Sequence, residues 1–145
     1  MLRYPLIHPP LLEVLAGAGH GSRILIADAN YAHRTNSHAR ARVIHLNLRP
    51  GLVTVEQVLE VVSSAVPIEA AAMMEPDDGT AVTLEADYRK HLERQTPLRM
   101  LGRQAFYAAC LDPALDATVA TGDQRHFANI LLTIGALPAR NGEAG

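Results

Sequence analysis

The chain is poor in several things that would have identified it quickly. It has one cysteine, Cys110, so no internal disulfide can form and a disulfide-stapled extracellular scaffold is excluded. It has no tryptophan, and aromatic residues make up 4% of the sequence, which removes the usual base-stacking platform of a single-strand nucleic-acid binder. Net charge is −2 and no run of Lys or Arg stands out, so no basic face is demanded and nucleic acid is a poor partner. No apolar run is long enough to cross a membrane. Pro5, Pro9, Pro10 and Glu13 interrupt the stretch in which a signal peptide needs an unbroken apolar region, and a soluble cytoplasmic protein is the expectation.

What is present is a chain of 145 residues with 48% hydrophobic and 19% charged content, enough to build a core in one domain of ordinary size. The expected domain is 1–139, with a frayed tail over 140–145. Cys110 lies in Tyr107-Ala-Ala-Cys-Leu111, which reads as a helix face with a small buried apolar residue rather than a nucleophile.

Periodicity gives the elements. Pro9-Pro10 opens a helix carrying Leu11, Leu12 and Leu15, which Gly17 or Gly19 should stop. Arg23–Ala27 reads as a strand, Asn30–Arg42 as a polar loop, and Val43–Leu48 as a half-buried strand. Thr54-x-x-Gln57 has the pattern of a capping box ahead of Val55, Val58, Leu59 and Val62. Ile68–Met74 is a strand of buried type, Pro76–Gly79 a turn, and Leu84–Gln95 a charged helix with Leu84, Tyr88 and Leu92 four apart. Leu98–Leu101 and Ala117–Thr121 are strands around a helix over Arg103–Leu111. Asn129–Ile134 is read as a last strand, although a short apolar run has no decisive period and a helix stays open. Strands alternating with helices imply an α/β layered domain with a largely parallel sheet.

Three chemistries fail on context. Gly17, Gly19 and Gly21 crowd together like a phosphate loop, but the strand comes after them and no helix N-terminus follows to hold phosphate. Seven histidines are scattered, His33 and His38 lie five apart in a loop, and no Cys/His cluster has metal-ligand spacing. No GxSxG-type elbow supports a Ser/His/Asp triad.

What remains is His20 just before the first strand and Asp28 just after it, at junctions where a rigid scaffold often presents functional groups. Extended chain between them spans roughly 20 Å or more, so the two do not meet within one subunit unless a loop folds back. A His after a glycine turn and an Asp after a strand are also ordinary, and spacing alone leaves both readings open. Asn129 is similar. Its carboxamide both donates and accepts, which suits a sugar hydroxyl, yet the same group can satisfy its own turn.

Four ordered pieces carry a family resemblance. They are Gly19-His20-Gly21 leading to Ile24-Leu-Ile-Ala-Asp-Ala-Asn-Tyr31; Val43-Ile44; Arg103-Gln-Ala-Phe-Tyr107; and Thr121-Gly122 followed by Phe127-Ala-Asn-Ile-Leu-Leu132 and Gly135. The set resembles the RbsD/FucU family of L-fucose mutarotases and D-ribose pyranases, and spans nearly the whole chain. The resemblance implies a three-layer α/β/α sandwich with a mostly parallel mixed sheet of about six strands. It implies a monosaccharide isomerase acting at the anomeric centre, with His20 as proton donor and Asp28, Arg103, Phe127, Ala128 and Asn129 binding the sugar. It also implies a homo-oligomeric ring, often a decamer, whose active sites are shared between subunits. The Asp-Ala-Asn-Tyr run and Arg103 look more like the fucose branch.

Ring opening at the anomeric centre needs proton transfers only, so no cofactor is expected, and histidine's ordinary pKa near 6.5 suits the acid role. The sequence departs from the family pattern at Phe127, where the family usually has Tyr, and at Ala32, where the fucose branch usually has Pro. The loop Tyr31–Arg42 is unusually basic, with Arg34, Arg40 and Arg42. A ribose pyranase uses the same groups. A sugar-binding or regulatory protein without turnover is the alternative that the missing hydroxyl at Phe127 raises.

Overall fold

A computed structural model describes residues 1–140. In chain order it contains α1 (Pro9–Gly17), β1 (Arg23–Ala27), β2 (Arg42–His45), α2 (Val55–Ala65), β3 (Ile68–Met74), α3 (Leu84–Arg89), β4 (Leu98–Leu101), α4 (Arg103–Cys110), β5 (Leu115–Ala120) and β6 (Ile130–Ile134). All but Arg140 of the tail expected to fray lies outside the described residues.

The strands form one sheet in the order β2-β5-β1-β6-β3-β4. β6 is antiparallel to both its neighbours, and the other pairs are parallel. The sheet is therefore mixed and mostly parallel, as expected. The open question over the last apolar run is resolved as a strand, because it fills the slot between β1 and β3. Its carbonyl at Ile134 accepts from Gly21 N–H at 2.8 Å, and its far end faces the end of β1 through the register pair Ile26–Ile130.

Alternation along β1 explains the layers. Ile24 and Ile26 point into one core with Leu11 and Leu15 of α1, Val55, Val58, Leu59 and Val62 of α2, and Leu84 and Tyr88 of α3. Leu25 and Ala27 point to the other face, against Phe106 and Cys110 of α4 and against Tyr31. A strand covered on both faces has no polar side, which is why Ile24–Ala27 reads as an unbroken apolar run. Burial of each such large side chain contributes about 1.5–3 kcal/mol. Cys110 is fully buried, and burial pushes its thiol up to about 11, in keeping with an inert packing residue.

The capping box is formed on both sides. Thr54 Oγ1 accepts from Gln57 N–H at 3.2 Å, and Gln57 Oε1 accepts from Thr54 N–H at 2.9 Å. α1 ends at Gly17, as expected; the following Ala18 is extended, and the left-handed glycine Gly21 (φ +86°) turns the chain into β1. Two element ends are corrected. β2 stops at His45 rather than Leu48, because its partner β5 ends at Ala120 and residues 46–53 close on themselves through Leu48 N–H to Leu52 O and Val53 N–H to Leu46 O. α3 stops at Arg89 rather than Gln95. Lys90, His91 and Leu92 bond three residues back, to Asp87, Tyr88 and Arg89, and Arg89 donates to the Thr96 carbonyl. These tight turns keep Leu84, Tyr88 and Leu92 on one buried face without a continuous helix.

Candidate functional site

The polar residues singled out above fall at the two opposite ends of β1. At its carboxyl end, Asp28, Asn30, Tyr31, Met74, Arg103, Tyr107, His126, Phe127 and Asn129 line a cavity of about 190 Å³. The loop after β1, the carboxyl end of β3, the first two turns of α4, and the loop entering β6 supply these side chains. Open α/β sheets commonly bind ligands outside the carboxyl ends of their strands.

Asp28 and Asn129 are built together. Asn129 Oδ1 accepts from the Asp28 backbone N–H at 2.8 Å, fixing the carboxamide so that its NH₂ is left to donate elsewhere. Asp28 Oδ1 accepts from Asn30 N–H at 2.9 Å. Asp28 is buried, 3% exposed, and that burial raises its carboxyl above the ordinary value of 3.8 against the opposing pull of N–H groups at Asn30, Ala128 and Tyr31. The Asp28 carbonyl lies 3.0 Å from His33 Nε2, which must carry the proton to donate to it.

Arg103 is the first residue of α4, half exposed, with a long 3.8 Å contact to Asp77. Its guanidinium keeps unused donors beside the cavity. Phe127 has φ +58°, a left-handed backbone that is uncommon for a bulky residue and tends to mark functional or constrained turns. Ala128 does not line the cavity: its methyl is in the core, and its carbonyl accepts from the Tyr88 hydroxyl at 2.8 Å.

The loop entering β6 is tied down by Asp123, which is 1% exposed. Its carboxylate accepts from Val55 N–H at 3.0 Å, capping α2 from a distance, and from Arg125 Nη2 at 2.7 Å and Nε at 2.9 Å. Burial pushes this carboxyl up, but Arg125 and the N–H groups of Val55 and Arg125 outweigh burial and hold it below 3.8. The Asp123 carbonyl accepts from Ala29 N–H at 2.8 Å, joining this loop to the one that holds Asp28.

His20 lies at the other end of β1. It is exposed, and its Nε2 donates to Glu69 Oε2 at 2.7 Å. Both residues line a separate groove of about 610 Å³ with Glu93, Gln95, Thr96 and Leu137. Within one chain, then, Asp28, Arg103, Phe127 and Asn129 come together and His20 does not join them. Glu69 was missed in the sequence, although it left a signal: it is the lone charge in the otherwise apolar run Ile68–Met74. Met74 was also missed, because a methionine at a strand end looks like core.

Three polar side chains beside Phe127, those of Tyr31, Tyr107 and His126, line the same cavity, and Tyr31 is committed, since its Oη donates to Asn36 O at 2.6 Å. Tyr107 and His126 remain at the cavity wall. Among the described residues no cluster of His, Cys, Asp or Glu could hold a metal ion, and no helix is long and apolar enough to cross a membrane.

Fucose mutarotase from Streptococcus pneumoniae, solved in complex with L-fucose, is similar at 26% identity and TM-score 0.80, over 95% of this chain and 100% of that one. RbsD from Bacillus subtilis, solved with D-ribose, shares the fold at 24% identity and TM-score 0.79, with the same coverage. FucU from Bifidobacterium longum is similar at 25% identity and TM-score 0.76, over 91% of this chain and 97% of that one. The two kinds of relative are nearly equidistant, so overall likeness does not separate the fucose branch from the ribose branch. Residues 1–137 match the RbsD / FucU transport protein family, and the chain belongs to that family.

Proposed function

We propose that this protein interconverts the α and β anomers of a monosaccharide, L-fucose or a close relative, by acid/base ring opening. The observation that carries the reading is the convergence of Asp28, Arg103, Phe127 and Asn129 on one small cavity. The L-fucose-bound relative of similar fold supports the substrate class.

In this reading a general acid protonates the ring oxygen while a base takes the proton of the anomeric hydroxyl. The ring opens to an aldehyde, the carbonyl turns over, and the ring closes on the other face. His20 is the acid, and Glu69 orients it. Asp28 accepts hydrogen bonds from sugar hydroxyls, Arg103 donates to sugar oxygens, and the free NH₂ of Asn129 donates alongside. The backbone of Phe127 and Ala128 completes the binding turn, with the Phe127 ring and Met74 against the C–H face of the sugar.

His20 and the cavity stand at opposite ends of a strand, so a neighbouring copy supplies the acid. A closed ring, such as a decamer, does this for every site at once. The reading also takes residues 1–139 as one domain working in the cytoplasm. Mixing His20→Ala subunits with Asp28→Ala subunits tests the sharing: refolded mixtures regain exchange activity if sites are shared, and stay inactive if each chain works alone.

A D-ribose pyranase uses the same groups in a differently shaped pocket. A binding protein without turnover is favoured by one specific observation, the absent hydroxyl at Phe127. It predicts sugar binding at the uncatalysed exchange rate, with activity gained in Phe127→Tyr.

A further inference from the structure

Tyr88 lies outside the cavity, yet it is hydrogen-bonded to the turn that builds it. It sits on α3, fully buried, and its hydroxyl donates to the Ala128 carbonyl at 2.8 Å. Ala128 stands between two residues with unusual duties. Phe127 before it is held at φ +58°, a conformation that is unfavourable for a bulky residue and persists only where its surroundings impose it. Asn129 after it directs its carboxamide to the backbone N–H of Asp28 at 2.8 Å. The orientation of the Ala128–Asn129 peptide therefore sets where the carboxamide points and, through it, where Asp28 sits.

Two facts make Tyr88 a specific support rather than general packing. Its ring belongs to the core around α2 and α3, while the turn it grips belongs to the loop entering β6, so one hydrogen bond joins elements 40 residues apart. Asp123 anchors that loop four residues before Phe127, and the Ala128 N–H is held by the Asp28 carboxyl on the cavity side, so the Tyr88 hydroxyl supplies the grip on the turn from the core side.

We infer that Tyr88 is a positioning residue that holds the Phe127–Ala128–Asn129 turn, and through Asn129 the backbone of Asp28, in the sugar-binding arrangement. The consequence for sugar rests on the mutarotase reading above; the consequence for the Asp28 backbone does not.

The test is Tyr88→Phe, which removes one hydroxyl and keeps the ring. Amide hydrogen exchange at Asp28 is expected to speed up by about tenfold, as befits the loss of one buried hydrogen bond's worth of order, while Ile24–Ile26 in the same strand change by less than about twofold. With sugar, KM for anomer exchange is expected to rise about tenfold while kcat changes less than about threefold, the pattern of lost binding rather than lost chemistry. Unchanged exchange at Asp28 overturns the inference, and so does a rise shared equally by Ile24–Ile26, which would denote a general loss of stability. If wild type shows no sugar turnover, the functional reading fails and Asp28 exchange still decides the role of Tyr88. Should Tyr88→Phe not fold, wild-type NMR decides. A slowly exchanging Tyr88 hydroxyl proton with a cross-peak to the Asn129 N–H supports the role, and a hydroxyl exchanging at the solvent rate overturns it.

Discussion

Gly122 is where the loop bearing Asp123 presses on the turn after β2, and Gly122→Ala should unfold much of that contact. A Cβ there would stand 2.2 Å from the Leu52 carbonyl oxygen, 2.5 Å from that of Arg49 and 2.8 Å from the Leu52 carbonyl carbon. All three are backbone atoms, so no side chain can swing away; the chain over 49–52 must retreat by more than about 1 Å. That retreat breaks the bond from Gly51 N–H to Gly122 O (2.6 Å) and weakens the one from Gly122 N–H to Val53 O (3.1 Å). Overpacking of this kind costs about 1–3 kcal/mol. Each net hydrogen bond adds about 1 kcal/mol. The expected loss is about 2–5 kcal/mol, or a fall in Tm of roughly 7–16 °C for a chain of this size. Circular dichroism melts and urea titrations at pH 7 measure both. A Tm within about 3 °C of wild type would refute the close-approach reasoning and mean that the turn yields freely.

Three further outcomes follow from the carboxylates and the thiol. Burial raises Asp28, so the native state binds its proton more tightly than the unfolded chain, and stability falls as pH rises from 3.8 through the native value. Asp28→Asn keeps the acceptor for Asn30 N–H, and should be more stable than wild type at pH 7 with little advantage below pH 3.8, while losing sugar binding; urea midpoints at the two pH values check it, and an equal gain at both contradicts it. Asp123 is opposite in sign: its net lowered value adds stability above 3.8 that is lost as pH falls through the native value. Asp123→Ala should cost about 2–4 kcal/mol at pH 7, from a buried carboxylate that caps α2 and pairs with Arg125, and the deficit should narrow in acid. Cys110, with its thiol pushed up to about 11, should resist a disulfide reagent at pH 8 in the native protein and react at once in denaturant.

Much of the fold could be read from local pattern because the local signals agreed with the tertiary answer. Arg23–Ala27, Ile68–Met74 and Leu98–Leu101 are strands with the expected bounds, and Thr54–Gln57 caps α2 as its spacing promised. The misses lie where a distant partner decides. β2 ends where β5 ends, which no property of Val43–Leu48 encodes. α3 ends early because Arg89 grips the Thr96 carbonyl, while the spacing of Leu84, Tyr88 and Leu92 survives in tight turns that mimic a helix in sequence.

The site was legible in its polar members, since Asp28 and Asn129 interrupt apolar runs at strand ends. The separation of His20 from Asp28 was also legible, because strand length alone sets it. The pairing of His20 with Glu69 was not, since it depends on residues 49 apart meeting across the sheet. Nor was the fixed direction of the Asn129 carboxamide, which depends on a backbone N–H 101 residues away.

The central claim is turnover at the anomeric centre, and saturation-transfer NMR on L-fucose, with D-ribose run alongside, tests it most directly. The protein is expected to speed exchange between the α and β anomers of L-fucose or a close relative, and His20→Ala to remove the acceleration by about 10²–10⁴-fold. Exchange at the uncatalysed rate for every sugar in the presence of demonstrable binding would contradict it, and would leave a sugar-binding protein whose missing hydroxyl at Phe127 accounts for the lost turnover.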